Sequence, residues 1–195
     1  MKRILITYLI FLVTVFCNPV AHGQTVDFVK ENVVFNLDSA HFQVTSDLHF
    51  TNDHNQTINQ AIFFPYSCES HVVKVDTVLI LDVNTNSYIK PARRSIAGVL
   101  FQISFAPLEQ KKLKVTYSQD HDGKLVGYVV TKVKYWQGAL PQANYTLNVK
   151  SPSVLIDSTS FKPNKISQED DKTVYSWYKT NFKPEKEFCV YFHVK

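Results

Sequence analysis

The residues best suited to covalent chemistry are Cys68 and His71, three positions apart. A thiol beside a histidine could form a cysteine nucleophile, although no cysteine-protease signature surrounds this pair. Cys68 and Cys189 are also the two cysteines that follow residue 23. In an oxidising compartment, two cysteines favour a disulfide. We therefore expect a Cys68–Cys189 bridge, and a Cys68 nucleophile is the alternative.

Metal-ligating side chains are adjacent at two places, Asp53-His54 and Asp120-His121-Asp122. Both places carry turn signals, and Asp122-Gly123 is typical of a hairpin turn in which glycine has a positive φ. The first residues of this second segment resemble the start of a calcium loop, but the acidic residue that completes such a loop is missing. Phosphate-loop, dinucleotide-binding and serine-hydrolase motifs are also absent. The sequence predicts no metal site, no cofactor and no catalytic residue.

Two pairs of adjacent aromatic residues are candidates for a binding surface, Tyr135-Trp136 and Trp177-Tyr178. Neighbouring residues on a strand point to opposite faces, so one ring of each pair faces outward if the other is buried. An exposed ring can stack on a sugar or anchor a protein partner. The alternative is that these rings pack at an edge, beneath a loop.

The first 23 residues have the three parts of a secretory signal peptide. Lys2 and Arg3 precede an uncharged run over residues 4–16, and Ala21-His22-Gly23 forms a small-residue cleavage site. The run is short for a membrane span, which needs about 20 apolar residues. We expect export to the periplasm or the exterior. Lipid anchoring through Cys17 is the alternative, but the bulky Phe16 does not fit a lipoprotein site.

Charge gives no indication of a nucleic-acid partner, because the whole chain carries a net charge of only +4. The densest basic spots are Lys111-Lys112-x-Lys114 and Lys132-x-Lys134. Their alternate spacing on strand-like segments predicts that they belong to solvated faces.

Alternation of apolar and polar residues predicts the fold. Strand-like segments separated by short turns favour an all-β, antiparallel β-sandwich, immunoglobulin-like or related, of about ten or eleven strands. No segment has the spacing of a long helix. We expect one domain over residues 24–195, with a seam near residues 120–123 as the alternative. The residues predicted to share one core are Phe101, Ile103, Phe105, Leu113, Val115, Leu147 and Val149.

A family resemblance adds to this interpretation. Residues 33–52 follow the order V-x-F-x-L-x-x-x-x-x-x-V-x-x-x-x-x-F-x-N, and residues 62–65, 98–101 and 111–117 read IFFP, GVLF and KKLKVTY. The combination resembles secreted bacterial β-sandwich domains of unknown function, which are distantly similar to the vault/inter-alpha-trypsin N-terminal domain. The resemblance covers residues 33–152 and implies a β-sandwich, export and a non-enzymatic role.

These observations favour a non-catalytic, secreted or periplasmic β-sandwich that binds a protein or a component of the cell envelope. A secreted hydrolase or a metal-dependent enzyme with an unrecognised site is the alternative, and carriage of a small ligand is a third. A deep cleft in which acidic residues, histidines or Cys68 converge would favour an enzyme. A solid core with an exposed aromatic patch would favour binding.

Overall fold

The computed structural model describes residues 25–66, 75, 77–136 and 138–195. The described residues form fourteen β-strands and one short 3₁₀ helix, Thr131–Tyr135. In chain order the strands are β1 (Asp27–Leu37), β2 (His41–Thr51), β3 (Ile58–Pro65), β4 (Leu79–Asp82), β5 (Ser87–Tyr88), β6 (Arg93–Ser95), β7 (Gly98–Phe105), β8 (Gln110–Asp120), β9 (Leu125–Tyr128), β10 (Leu140–Val149), β11 (Val154–Thr159), β12 (Lys165–Glu169), β13 (Lys172–Phe182) and β14 (Phe188–Val194).

The strands form three sheets that build a two-layer sandwich. The large sheet has the order β12-β13-β10-β1-β2-β8-β4-β5, and the small sheets have the orders β11-β14-β9 and β3-β7-β6. The all-β prediction, without a long helix, is confirmed. Very short strands such as β5 and β6 account for part of the difference in strand number, since two or three residues are too few to show alternation.

Both small sheets pack on the inner face of the large sheet through aromatic rings. The Phe35 ring on β1 lies 5.0 Å from that of Phe188 on β14. The Phe50 ring on β2 lies 5.9 Å from that of Phe105 on β7. All seven residues predicted to share a core are buried in one cluster. The predicted inward faces are therefore confirmed.

Most pairings are antiparallel, but two neighbouring inner strands of the large sheet run in parallel. Strand β1 pairs with β10 so that Val33 lies opposite Tyr145 and Phe35 opposite Leu147. The sequence analysis predicts antiparallel neighbours because short turns separate consecutive strand-like segments. These two strands are far apart along the chain, and alternation carries no information on strand direction.

Two of the lysines predicted to be solvated are buried, which corrects that prediction. Lys111 has the same parity as Leu113 and Val115 and points inward, where its Nζ lies 3.2 Å from Asp82 and 3.1 Å from Glu109. Lys132 lies on the 3₁₀ helix, whereas its alternate spacing with Lys134 predicted a strand-like segment. Strand β9 instead ends at Tyr128.

None of the helices in the described ranges is long and apolar enough to cross a membrane. The predicted signal peptide, Cys17, Cys68 and His71 all lie outside the described residues. Their roles therefore stay predictions.

Candidate functional site

A pocket of about 640 Å³ lies between strand β3 and the 3₁₀ helix. This volume falls in the range of about 300–1,000 Å³ that is typical of ligand pockets. The lining residues come from the start of the described chain, β3, the segment that contains the 3₁₀ helix, and the loop before β14: Thr25, Val26, Gln60, Ala61, Phe63, Pro65, Val129, Thr131, Lys132, Tyr135, Trp136 and Glu187.

Aromatic side chains dominate the outer part of this pocket. Tyr135, the last residue of the 3₁₀ helix, is 90% exposed, and Phe63 on β3 is 51% exposed. Trp136 is partly buried, with its ring 5.1 Å from that of Phe50 and 6.0 Å from that of Phe28. Trp136 therefore forms a supported wall, whereas Tyr135 stands in solvent beside it.

Glu187 fixes the 3₁₀ helix in place. Its Oε2 accepts hydrogen bonds from the backbone N–H groups of Val130, at 2.8 Å, and Thr131, at 3.0 Å. Its Oε1 accepts the hydroxyl hydrogen bond of Thr131. Both carboxylate oxygens are therefore engaged within the protein, and they satisfy donors that the start of a helix leaves without intrahelical partners.

Beneath the pocket lies a buried polar network centred on Glu31. The carboxylate of Glu31 is fully buried and accepts hydrogen bonds from the hydroxyls of Tyr128, at 2.6 Å, and Tyr145, at 3.1 Å. The Lys132 ammonium lies 2.7 Å from Glu31 Oε1. Ser46 shares a 2.9 Å hydrogen bond with Tyr128. The network joins the large sheet to β9 and to the 3₁₀ helix.

The Lys132 ammonium has three donors, and all three have partners within the protein. They are the Glu31 carboxylate, the Tyr128 hydroxyl at 2.8 Å and the Val129 carbonyl at 3.0 Å. The ammonium also lies 4.0 Å from the centre of the Tyr128 ring. Lys132 therefore lines the pocket while its charge is directed to Glu31. With Glu187 also satisfied, the two charged residues in the wall leave the pocket close to neutral.

Burial shifts the ionisation of this network. It raises the pKa values of Tyr128 and Tyr145 well above 10.0, and the negative charge of Glu31 raises them further. Burial lowers the pKa of Lys132, and the Glu31 carboxylate opposes that shift. The fold thus favours protonated phenols at these two positions.

These shifts predict a loss of stability at alkaline pH. In the unfolded chain the two phenols lose their protons near pH 10, whereas in the folded chain they retain them to higher pH. Their contribution is complete below about pH 10 and falls as the pH rises further. The lowered pKa of Lys132 has the opposite effect, because it makes stability rise with pH up to about pH 10.5. This effect comes from one group, whereas the loss comes from two phenols. We expect the free energy of unfolding, measured with urea, to fall above pH 10.

The variants Tyr128→Phe and Tyr145→Phe should each flatten this slope by up to about 1.4 kcal/mol per pH unit, the value for one proton. Tyr178→Phe, which alters an exposed ring, is the control. An equal slope in all four proteins would contradict the assignment of the alkaline transition to the buried tyrosines.

The structure brings one of the two predicted aromatic pairs to the pocket. Tyr135 and Trp136 line it, although Tyr135 ends a 3₁₀ helix and Trp136 follows it, where a strand was predicted. Trp177 is fully buried, and its indole N–H donates to the Phe161 carbonyl at 2.7 Å. Trp177 is therefore a core residue and not a surface residue. Tyr178 is 59% exposed on the outer face of the large sheet, away from the pocket.

The other candidate residues do not converge on this pocket. Gly123 has the predicted positive φ, 79°, but the predicted hairpin is wrong, because β8 and β9 on either side of it belong to different sheets. His121 is held within that turn, where its Nδ1 accepts the Gly123 N–H at 3.1 Å. Across the described ranges, no group of three or more His, Cys, Asp or Glu side chains is arranged to hold a metal ion. The half-buried Cys189 lies on β14, and its bridge to Cys68 stays a prediction.

Sequence reasoning missed the Glu31 network, although a signal for it exists. Glu31 has the same parity as Val33, Phe35 and Leu37, so alternation places this carboxylate on the inward face of β1. A charged residue among core positions needs a buried partner. Lys132 gave no comparable signal, because its segment was interpreted as a strand.

No family model matches this chain, and no curated protein sequence matches it. Among solved structures, a protein of Legionella pneumophila, described as a proposed nutrient-binding protein, is similar with a TM-score of 0.67 and 15% identity. The match covers 86% of this chain and 67% of that one. An M1 zinc metallopeptidase of Deinococcus radiodurans matches with a TM-score of 0.46 and 9% identity. The match covers 86% of this chain but only 42% of the metallopeptidase. What the first likeness establishes is a shared β-rich fold.

Proposed function

We propose that this protein is a non-catalytic binding domain that holds a protein partner at the pocket between β3 and the 3₁₀ helix. The observation that carries the proposal is the aromatic wall of Tyr135 and Trp136 around a pocket of about 640 Å³. Exposed Tyr and Trp rings are enriched among the residues that dominate binding energy at protein interfaces. The charged side chains of this wall are engaged internally, so none is poised as an acid, base or nucleophile.

The rigidity of the wall supports the same proposal. Trp136 packs on the rings of Phe28 and Phe50, and Glu187 holds the start of the 3₁₀ helix. A site that is formed before binding loses little conformational freedom when a partner arrives. Trp136 can therefore contribute its ring area to a complex at a small entropic cost.

The proposal includes export, which would place the pocket among envelope or extracellular proteins. Lys2, Arg3, the apolar run and Ala21-His22-Gly23 motivate it. We expect the exported protein to begin at Gln24, and intact-mass spectrometry checks this. A mass that still includes residues 1–23 would contradict cleavage, and a diacylglyceryl group on Cys17 would indicate a lipoprotein.

The binding proposal is tested with a phage-displayed library of random decapeptides, panned against the protein that begins at Gln24. We expect enrichment of a peptide whose affinity, measured by fluorescence anisotropy, falls about tenfold or more in Tyr135→Ala. A tenfold loss corresponds to about 1.4 kcal/mol of binding energy, which is reasonable for an interface aromatic ring. Because Tyr135 is almost fully exposed, its truncation should leave the free energy of unfolding nearly unchanged.

Tyr178→Ala is the matched control, since it also removes an exposed tyrosine ring but on another face of the molecule. The control should bind the enriched peptide as the wild type does. Equal losses in both variants, or no enrichment of any peptide, would overturn the proposal.

A further inference from the structure

We propose that the partner binds as an extended, uncharged peptide segment that adds a strand to the edge of β3 and places one apolar side chain in the pocket. This inference rests on the proposed function and specifies its partner. Three features carry it: the hydrogen-bonding direction of β3, the composition of that strand, and the neutrality of the adjoining pocket.

The backbone of β3 points half of its hydrogen-bonding groups away from β7. Tyr66 N–H donates to the Ala97 carbonyl at 3.2 Å, which fixes that pair as a hydrogen-bonded one. Such pairs alternate along antiparallel strands, and Phe64 pairs with Val99 and Ile62 with Phe101 in the same phase. Asn59, Ala61 and Phe63, which lie between these positions, therefore direct their N–H and C=O groups to the other side.

An independent hydrogen bond on β7 supports this phase. The Leu100 carbonyl accepts from the Ala92 N–H at 2.9 Å, on the side of β7 that faces β6. Leu100 is the register partner of Phe63, so these two residues do not form a hydrogen-bonded pair. Within the described part of the chain, β7 is the one strand that pairs with β3. The opposite edge of β3 is a template for strand addition.

Apart from Pro65 at its end, the composition of β3 does not protect this edge. Its sequence, INQAIFFP, has no charged residue, whereas edge strands are commonly protected by an inward-pointing charge or a lysine. Proline is found at an edge, where its missing N–H does not interrupt the ladder, and Pro65 fits this pattern. The Gln60 amide donates to the Ala61 carbonyl at 3.1 Å, so the protein's own side chain occupies one acceptor of this edge.

The pocket and the edge are continuous. Gln60, Ala61, Phe63 and Pro65 all line the pocket, and no residue of β7 does. A peptide strand on this edge would therefore pass beside Tyr135 and project alternate side chains toward the pocket.

Charge complementarity selects the occupant. The Lys132 donors and the Glu187 oxygens are engaged within the protein, and β3 adds no charge. A charged side chain in this pocket would lose its hydration without gaining an ion pair. An uncharged segment with an apolar residue in the pocket meets no such penalty.

The first test compares two substitutions of one residue. Ala61→Pro removes an N–H that points to the edge and leaves the β7 ladder intact, whereas Ala61→Val keeps the N–H and adds side-chain bulk. The enriched decapeptide should bind Ala61→Pro at least tenfold more weakly than it binds Ala61→Val, because both variants add bulk to the pocket wall and only Ala61→Pro loses the N–H. Thermal unfolding of both variants checks that the fold is retained. If Ala61→Pro does not fold, the second test, which uses the wild-type protein, decides.

The second test is a scan of the same decapeptide with one N-methyl group at a time. Strand addition predicts that methylation weakens binding at every second residue, because alternate peptide N–H groups face β3. A loss with no period of two, or binding to Ala61→Pro at wild-type strength, overturns strand addition. If strand addition is overturned but Tyr135→Ala still weakens peptide binding, the proposed function stands without strand addition.

A concentration-dependent dimer that Ala61→Pro dissociates would show that the occupant is a second copy of this chain, and would overturn the peptide partner.

Discussion

Replacing Lys132 with methionine is expected to lower the free energy of unfolding by about 3–5 kcal/mol, the usual effect of removing one partner of a buried ion pair. The Lys132 ammonium lies 2.7 Å from a Glu31 carboxylate that is fully buried. Methionine fills a similar volume, so the loss reports the uncompensated charge of Glu31. Urea denaturation monitored by tryptophan fluorescence measures the change.

Two further variants make this result specific. Lys134→Met removes an exposed lysine from the same 3₁₀ helix and should change the free energy of unfolding by less than about 0.5 kcal/mol. The double variant Glu31→Gln, Lys132→Met removes both charges and should recover part of the loss. A Lys132→Met protein as stable as the wild type would contradict the description of this ion pair.

Truncating Trp177 to alanine should lower the free energy of unfolding by about 3–5 kcal/mol, the range for a large buried aromatic residue. The Trp177 ring is fully buried and lies edge-on to Phe188, with 4.9 Å between the ring centres. Its truncation would open a cavity between the large sheet and β14 and leave the Phe161 carbonyl without its indole donor. Thermal and urea unfolding both measure the loss.

Tyr178→Ala provides the comparison, since the neighbouring ring faces solvent on the outer side of the same strand. Its effect on the free energy of unfolding should stay within about 0.5 kcal/mol. If both substitutions destabilise the protein equally, the inward and outward faces of β13 have been assigned incorrectly.

Much of the fold could be predicted because alternation reports directly which face of a strand is buried. Phe101, Ile103 and Phe105 on β7 have their predicted inward orientation for this reason. The parallel pairing of β1 with β10 could not be predicted, because it depends on contacts between distant segments. The 3₁₀ helix was missed since its few residues, including two lysines, also fit a period of two.

The pocket could be predicted only in part. Tyr135 and Trp136 were candidates because neighbouring residues on a strand point to opposite faces. The pair does reach the pocket, but from the end of a 3₁₀ helix, so the reason given for it was wrong. The inward position of Glu31 on β1 was a signal that the sequence analysis missed, since a charge there needs a buried partner. Its identity, Lys132, depends on how β9 and the 3₁₀ helix lie against β1, and no local pattern encodes that placement.

The most direct test of the central claim is amide chemical-shift mapping of the ¹⁵N-labelled protein during titration with the enriched decapeptide. Binding at the pocket predicts that the largest perturbations cluster at residues 59–65 and 130–136. It also predicts slowed hydrogen exchange at Ala61 and Phe63, whose N–H groups face the added strand. Perturbations centred on Tyr178 and the outer face of the large sheet, with residues 59–65 unchanged, would contradict the claim.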